Sequence, residues 1–175
     1  WREKIACEKR KAYHDQEYWG KPVPGFGDTA AKVLIVGLAP GAHGSNRTGR
    51  QFTGDSSGEF LYQALYRAGF ASQPKSVTRN DGLILHDVYI APVCRCVPPQ
   101  NKPLPGEIKN CRPYLEEEIR ILQPKVFVVL GHIAFETLLK IIDMGKNFTS
   151  PRRKSFSFSH NGIHALDEKR WLVTA

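Results

Sequence analysis

The chain has 175 residues, with Lys+Arg 25 against Asp+Glu 17 and 41% hydrophobic residues. That length suits a single domain, residues 1–175, with its own core, and the net charge of +8 favours an anionic partner such as nucleic acid over an acidic protein. No apolar run approaches the roughly 20 residues a membrane helix needs, and the start lacks a signal-peptide layout. An intracellular, cytoplasmic monomer is therefore expected, with its four cysteines as thiols or metal ligands rather than disulfides.

In chain order, Lys32–Val36 is an apolar, β-branched run that predicts a strand buried on both faces. It runs into a nineteen-residue loop, Gly37–Asp55, holding five glycines and a proline at 40. The glycines let backbone approach a ligand, and their N–H groups can meet an anion or a carbonyl. Loops this long are uncommon in compact domains unless they are functional or disordered. The spacing of Phe60, Leu61, Ala64, Leu65 and Ala68 predicts a helix over 57–68, with Ser56 or Ser57 as its N-cap and Gly69 past its end. Asp87–Val93 reads as a second strand. Pro105–Leu122 reads as a helix that Pro113 bends or breaks and Pro124 ends. Lys125–Gly131 predicts a third strand, His132–Ile142 a helix, Lys146–Gly162 a mobile loop, and Trp171–Ala175 a fourth strand. This alternation predicts an α/β fold, three-layer α/β/α with a central, mainly parallel four-stranded sheet. Its ligand site should lie beyond the carboxyl ends of the strands.

The loop has neither a Gly-Lys-Ser/Thr ending nor a Gly-x-Gly-x-x-Gly pattern, which argues against common nucleotide-binding motifs. Three other blocks stand out. They are Tyr18–Asp28, then Gly37-Leu38-Ala39-Pro40 through Asn46–Arg50 to Phe52-Thr53-Gly54-Asp55, then Arg95–Pro103 leading to Cys111–Leu115. In that order they resemble family 5, the type B enzymes, of the uracil-DNA glycosylase superfamily, and the likeness covers about residues 1 to 142. Family 4 members carry a uracil-reading asparagine where this chain has Ala91 and an acidic residue where it has Leu38, so both positions favour family 5.

The resemblance implies a DNA repair enzyme that flips a deaminated base, uracil or also hypoxanthine, out of DNA and hydrolyses its N-glycosidic bond. Gly37, Leu38, Ala39, Pro40, Gly41, His43 and Gly44 would then line the base site, largely through backbone N–H groups. Phe52 would stack on the base; its rival role is a simple lid over the core. Asp55 would face the developing positive charge of the sugar or activate water; its rival role is helix capping. Asn101 offers both a donor and an acceptor to a base edge, or a turn after Pro98-Pro99. His43 has a structural reading of equal weight. Arg47, Arg50 and Lys102 are the expected phosphate contacts, with a further basic cluster at Lys146, Arg152, Arg153 and Lys154 beside Phe148, Phe156 and Phe158.

Family 4 and 5 enzymes hold a [4Fe-4S] cluster. The resemblance makes Cys96 and Cys111 two of its four thiolate ligands, the other two being expected upstream of this chain. Cys94 should point away from Cys96 as a small buried hydrophobe, and Cys7 lies outside the pattern. The family's Cys-x-x-Cys pair and terminal His-Pro-Ser motif do not occur here, so a fragment of weak or no activity is expected, or else a degenerate member. The competing class is an iron-sulfur or basic DNA-binding module without turnover.

Overall fold

The computed structural model describes residues 1–144 and 156–175. One sheet runs through it in the order β1-β3-β2-β4-β6-β5. Its centre is the expected parallel set: β2 (Val33–Gly37), β3 (Val88–Pro92), β4 (Val126–Val129) and β6 (Trp171–Thr174). Two short antiparallel edges extend it to six strands, β1 (Phe26–Gly27) on β3 and β5 (Gly162–Ala165) on β6. Neither edge is long enough for a period of two to show in the sequence.

Alternation along the central strands sends Leu34, Val36, Phe127, Val129 and Leu172 to one face. There they pack beneath α4 (Pro105–Leu122) and α5 (His132–Met144) through Leu115, Ile119, Phe135, Leu138 and Leu139. Ile35, Val88 and Ile90 face the other way, onto α3 (Ser56–Arg67) through Tyr62 and Leu65. Each large side chain buried completely, Phe127 for example, stabilises the fold by about 2–3 kcal/mol.

Local departures from expectation have simple causes. The buried face of α3 carries Gly58, Tyr62 and Leu65, while Phe60 is 79% exposed, so the helix is rotated from the phase its apolar residues suggested. Tyr62 can be buried because its hydroxyl donates to the Gln51 carbonyl at 2.8 Å. Helix α4 runs on as one element through Pro113, with Pro105 in its first turn and Glu107 reaching back to the Leu104 N–H at 2.7 Å. Of the stretch expected to be a mobile loop, Lys146–Ser155 and its basic cluster lie outside the described residues. Phe156 and Phe158, by contrast, pack against the α4–α5 side of the core, Phe158 with its ring 5.7 Å from that of Phe135.

Candidate active site

Strand β2 ends at Gly37, and its last carbonyls stay in the sheet: Val93 N–H donates to Gly37 O and Cys94 N–H to Leu38 O. The amides that follow are different. Those of Leu38, Ala39 and Gly41 donate to no acceptor among the described residues, while Pro40 has no N–H to give and is buried. The chain then turns into a single helical turn, α2 (Ser45–Thr48), whose carbonyl-side cap Gly49 has φ +77. A cavity of about 200 Å³ opens above this floor, lined by Leu38, Ala39, Gly41, Ser45, Gln51, Phe52, Asp55, Ser57 and Asn101. That is smaller than the 300–1,000 Å³ usual for drug-sized ligands and suits one planar ring.

Phe52 and Asn101 enter from opposite segments, and both adopt the left-handed backbone, with φ 51 and 56. For residues with a Cβ this conformation costs energy and tends to concentrate at functional sites. Phe52 lies close over the end of β2: a methyl built on Gly37 would meet its Cζ at 2.8 Å. Its carbonyl is packed just as tightly on Gly58, where a methyl would sit 1.8 Å away.

The two readings of Asp55 that the sequence left open do not exclude each other, because each can use a different carboxylate oxygen. Asp55 is itself the N-cap of α3, one residue earlier than the serines suggested, its Oδ1 accepting from Gly58 N–H at 3.0 Å. Its Oδ2 faces the glycine loop, where methyls built on Gly44 and Gly41 would come to 2.0 and 3.1 Å. The cap thus aims the second oxygen at the cavity.

The remaining expected residues lie around rather than in this cavity. His43 hydrogen-bonds the Tyr18 hydroxyl through Nδ1 at 3.0 Å, and burial together with the charges of Arg10 and Arg47 holds its pKa below the ordinary value. Gly44 caps α2 and supplies close approach rather than a wall. Arg47 clasps the loop, donating to His43 O, Gln16 Oε1 and Gly54 O, and it stacks over Tyr13. Lys102 is exposed next to Asn101.

Arg50 is not placed where a phosphate contact would be. It is 3% exposed, and its guanidinium donates to Thr53 Oγ1, Ser76 Oγ, Arg79 O and both carboxylate oxygens of Asp81, which occupies all five N–H groups. Burial pushes the Asp81 pKa up, but Arg50 and the N–H groups of Val77 and Leu83 outweigh it and hold the carboxyl at about 2. Asp81 had no signal in the sequence beyond a charge in a turn. Gln51, Ser45 and Ser57 were also unforeseen as cavity walls.

The thiols sit behind the same floor. Cys94 is buried as expected, yet it does not turn away from the candidate pair, because β3 ends at Pro92 and strand alternation no longer applies. The neighbouring Cys94, with the N–H groups of Arg95 and Cys96, holds the Cys111 pKa below the ordinary thiol value, while Cys111 and burial push that of Cys94 up. Arg2 on the N-terminal helix α1 (Arg2–Glu8) donates to Cys96 Sγ at 3.6 Å. All four cysteines are free, and among the described residues no group of three or more His, Cys, Asp or Glu side chains is arranged to hold a metal ion.

Fold and site together define a known class. The profile of the Uracil DNA glycosylase superfamily matches residues 24–174, and the chain belongs to that superfamily. Within it, the chain is 45% identical to the type-5 uracil-DNA glycosylase of Thermus thermophilus over 176 residues, covering 100% of this chain and 76% of that protein. It is 48% identical to the type-5 uracil-DNA glycosylase of Mycobacterium tuberculosis over 143 residues, 81% of this chain and 53% of that protein. A type-4 uracil-DNA glycosylase from Sulfurisphaera tokodaii is 34% identical over 149 residues, 85% of this chain and 59% of that protein. The likeness is thus stronger to type 5, and the chain spans only about half the length of some relatives it matches. Among the described residues no helix is long and apolar enough to cross a membrane.

Proposed function

We propose that the chain carries the base pocket of a monofunctional uracil-DNA glycosylase, acting on uracil and hypoxanthine in DNA. The observation that carries this reading is the meeting, in one ring-sized cavity, of unpartnered backbone N–H groups, an aromatic ring, an amide and one aimed carboxylate. An extruded base enters that cavity, trading its stacking in DNA for contact with Phe52. As the C1′–N bond breaks, its electron pair leaves with the base, so negative charge gathers on the base oxygens while the sugar becomes oxocarbenium-like. The amides of Leu38, Ala39 and Gly41 stabilise the first charge and Asp55 Oδ2 the second. Water, oriented by Asp55, then adds at C1′ and releases a proton to solvent, and the departed base anion takes up a proton in turn. Asn101 supplies a donor or an acceptor to the base edge.

Lys102 is the exposed cation next to this rim and the best-placed phosphate contact. DNA as partner implies an intracellular site of action. Cys96 and Cys111 are two cysteines suited to a [4Fe-4S] cluster, Cys111 also by a pKa held below the ordinary thiol value, though they are not a complete ligand set. Bound, such a cluster would tie the segment after β3 to α4. Iron and sulfide analysis of anaerobically purified full-length protein tests this, and an iron-free, colourless protein would dismiss it.

The activity is tested by incubating full-length protein with duplexes carrying uracil, hypoxanthine or only normal bases, followed by alkali. Strand cleavage confined to the lesions is expected, with Asp55→Ala and Asn101→Ala each losing on the order of 10²-fold or more. Binding without cleavage on any lesion would reject the enzyme in favour of a DNA-binding module.

A further inference from the structure

We infer that Gln51 is a specificity-determining residue of this pocket, presenting its Oε1 as a fixed acceptor for the ring N–H of a deaminated base. The inference rests on the base-excision reading above. Gln51 is 2% exposed and forms part of the cavity wall between Phe52 and the pinned Arg50. Its backbone carbonyl accepts from Tyr62 and from Thr53 Oγ1, so the residue is held at its main chain. Burial pushes the Tyr62 phenol up to about 12, so this hydroxyl remains a donor across the working pH range.

The side chain is held as firmly. Gln51 Nε2 donates to two carbonyls, Val23 O at 3.3 Å and Pro24 O at 3.4 Å. Rotating the amide would set Oε1 against those two carbonyl oxygens, acceptor against acceptor, so its orientation is fixed. Oε1 takes no hydrogen bond from the described residues, and it is not sealed among the buried polar atoms that lack a partner. It is the open acceptor of an otherwise satisfied, buried amide in a cavity wall.

The chemistry of deamination gives this acceptor a use. Cytosine N3 and adenine N1 carry lone pairs, whereas uracil N3 and hypoxanthine N1 carry hydrogens. A fixed acceptor attracts both products and repels both parent bases, whatever the ring size. Thymine and guanine also carry a ring N–H, so Gln51 does not sort against them, and cavity shape must. Asn101 can turn its amide to suit either kind of edge, but Gln51 cannot.

The test compares binding of free uracil, 3-methyluracil and cytosine to full-length wild type and to Gln51→Met, which keeps length and volume but has no acceptor. Wild type should prefer uracil over both analogues by roughly 10- to 100-fold, the range expected for one buried hydrogen bond made or left unmade. In Gln51→Met the uracil-to-cytosine ratio should collapse toward one, and excision of uracil and hypoxanthine from duplexes should fall together. A role confined to bracing the Val23-Pro24 segment would lower all three affinities and leave the ratios unchanged, which overturns the inference. Wild type that binds uracil and 3-methyluracil equally well also overturns it, with no variant involved, so a poorly folded Gln51→Met does not remove the test. Wild type that binds no free base and excises none sinks the base-excision reading instead, and this inference with it.

Discussion

Gly44→Ala puts the proposed role of Asp55 to a sharp test, because the substitution adds one methyl and neither adds nor removes a charge. Gly44 has a negative φ of −96, outside the left-handed region, but its ψ of −102 also lies outside the α and β regions, so alanine adds backbone strain beside the contact. The trouble is contact: the new methyl lies 2.0 Å from Asp55 Oδ2, 2.8 Å from its Cγ and 3.1 Å from its Cβ. Ordinary contact begins near 3.4 Å, so the carboxylate must retreat by about 1.4 Å. It cannot do so freely, since Oδ1 is tied to the Gly58 N–H at 3.0 Å. Either the cap breaks, at a cost of about 1 kcal/mol of stability, or α2 shifts. In both cases Oδ2 leaves its aim, and displacements of this size cost about 10²-fold in rate. The assay is single-turnover excision of uracil from a duplex, with urea denaturation run in parallel. Gly41→Ala is the graded control, because its 3.1 Å contact needs only a few tenths of an ångström of relief. A Gly44→Ala protein that folds and excises at the wild-type rate would refute the assignment of Asp55 Oδ2 to the reaction.

Arg50→Met should lower stability by about 1–3 kcal/mol by taking the charged donor from the half-buried Asp81, which keeps only the N–H groups of Val77, Thr78 and Leu83, and it should leave the salt dependence of DNA binding unchanged; urea denaturation and binding titrations across ionic strength check both halves. The same pair makes stability depend on acid: the Asp81 pKa is depressed from 3.8 to about 2, so its contribution of about 2 kcal/mol is present above pH 4 and is lost as pH falls toward 2. In Asp81→Asn this part of the stability profile should flatten, and an unaltered slope between those values would remove the pair as its source. Gly58→Ala should destabilise despite a gain in helix propensity of about 1 kcal/mol, because its methyl would meet backbone, the Phe52 carbonyl, at 1.8 Å; a stabilised protein in thermal unfolding would contradict the packing described for Phe52.

The central strands and the pocket loop were legible because their signals are local. An apolar run such as Val33–Val36 can only be buried, and a glycine-rich loop after it can only be irregular. What was not legible depends on partners distant in sequence. Arg50 reads as a surface cation until Asp81, Ser76 and Thr53 are brought around it. Tyr62 reads as the polar side of α3 until the Gln51 carbonyl meets its hydroxyl, and with Tyr62 buried Phe60 is left to solvent. Asp55 was expected either as cap or as catalytic group, and the geometry shows the cap on one oxygen while the other faces the glycine loop, where the proposed role would need it. Gln51 carried no signal at all, since a lone glutamine gains meaning only from the two carbonyls that fix it.

The way Arg50 is held has a consequence for the timing of recognition. With every guanidinium N–H engaged inside the protein, the segment from Arg50 to Asp55 takes its shape when the chain folds, before any nucleic acid arrives. The loss of freedom that ordering such a loop entails is then met during folding and does not recur at each encounter. A base entering the pocket finds the walls in place. In the proposed reaction, the rearrangement that remains then falls on the DNA, which must release the base from its stack.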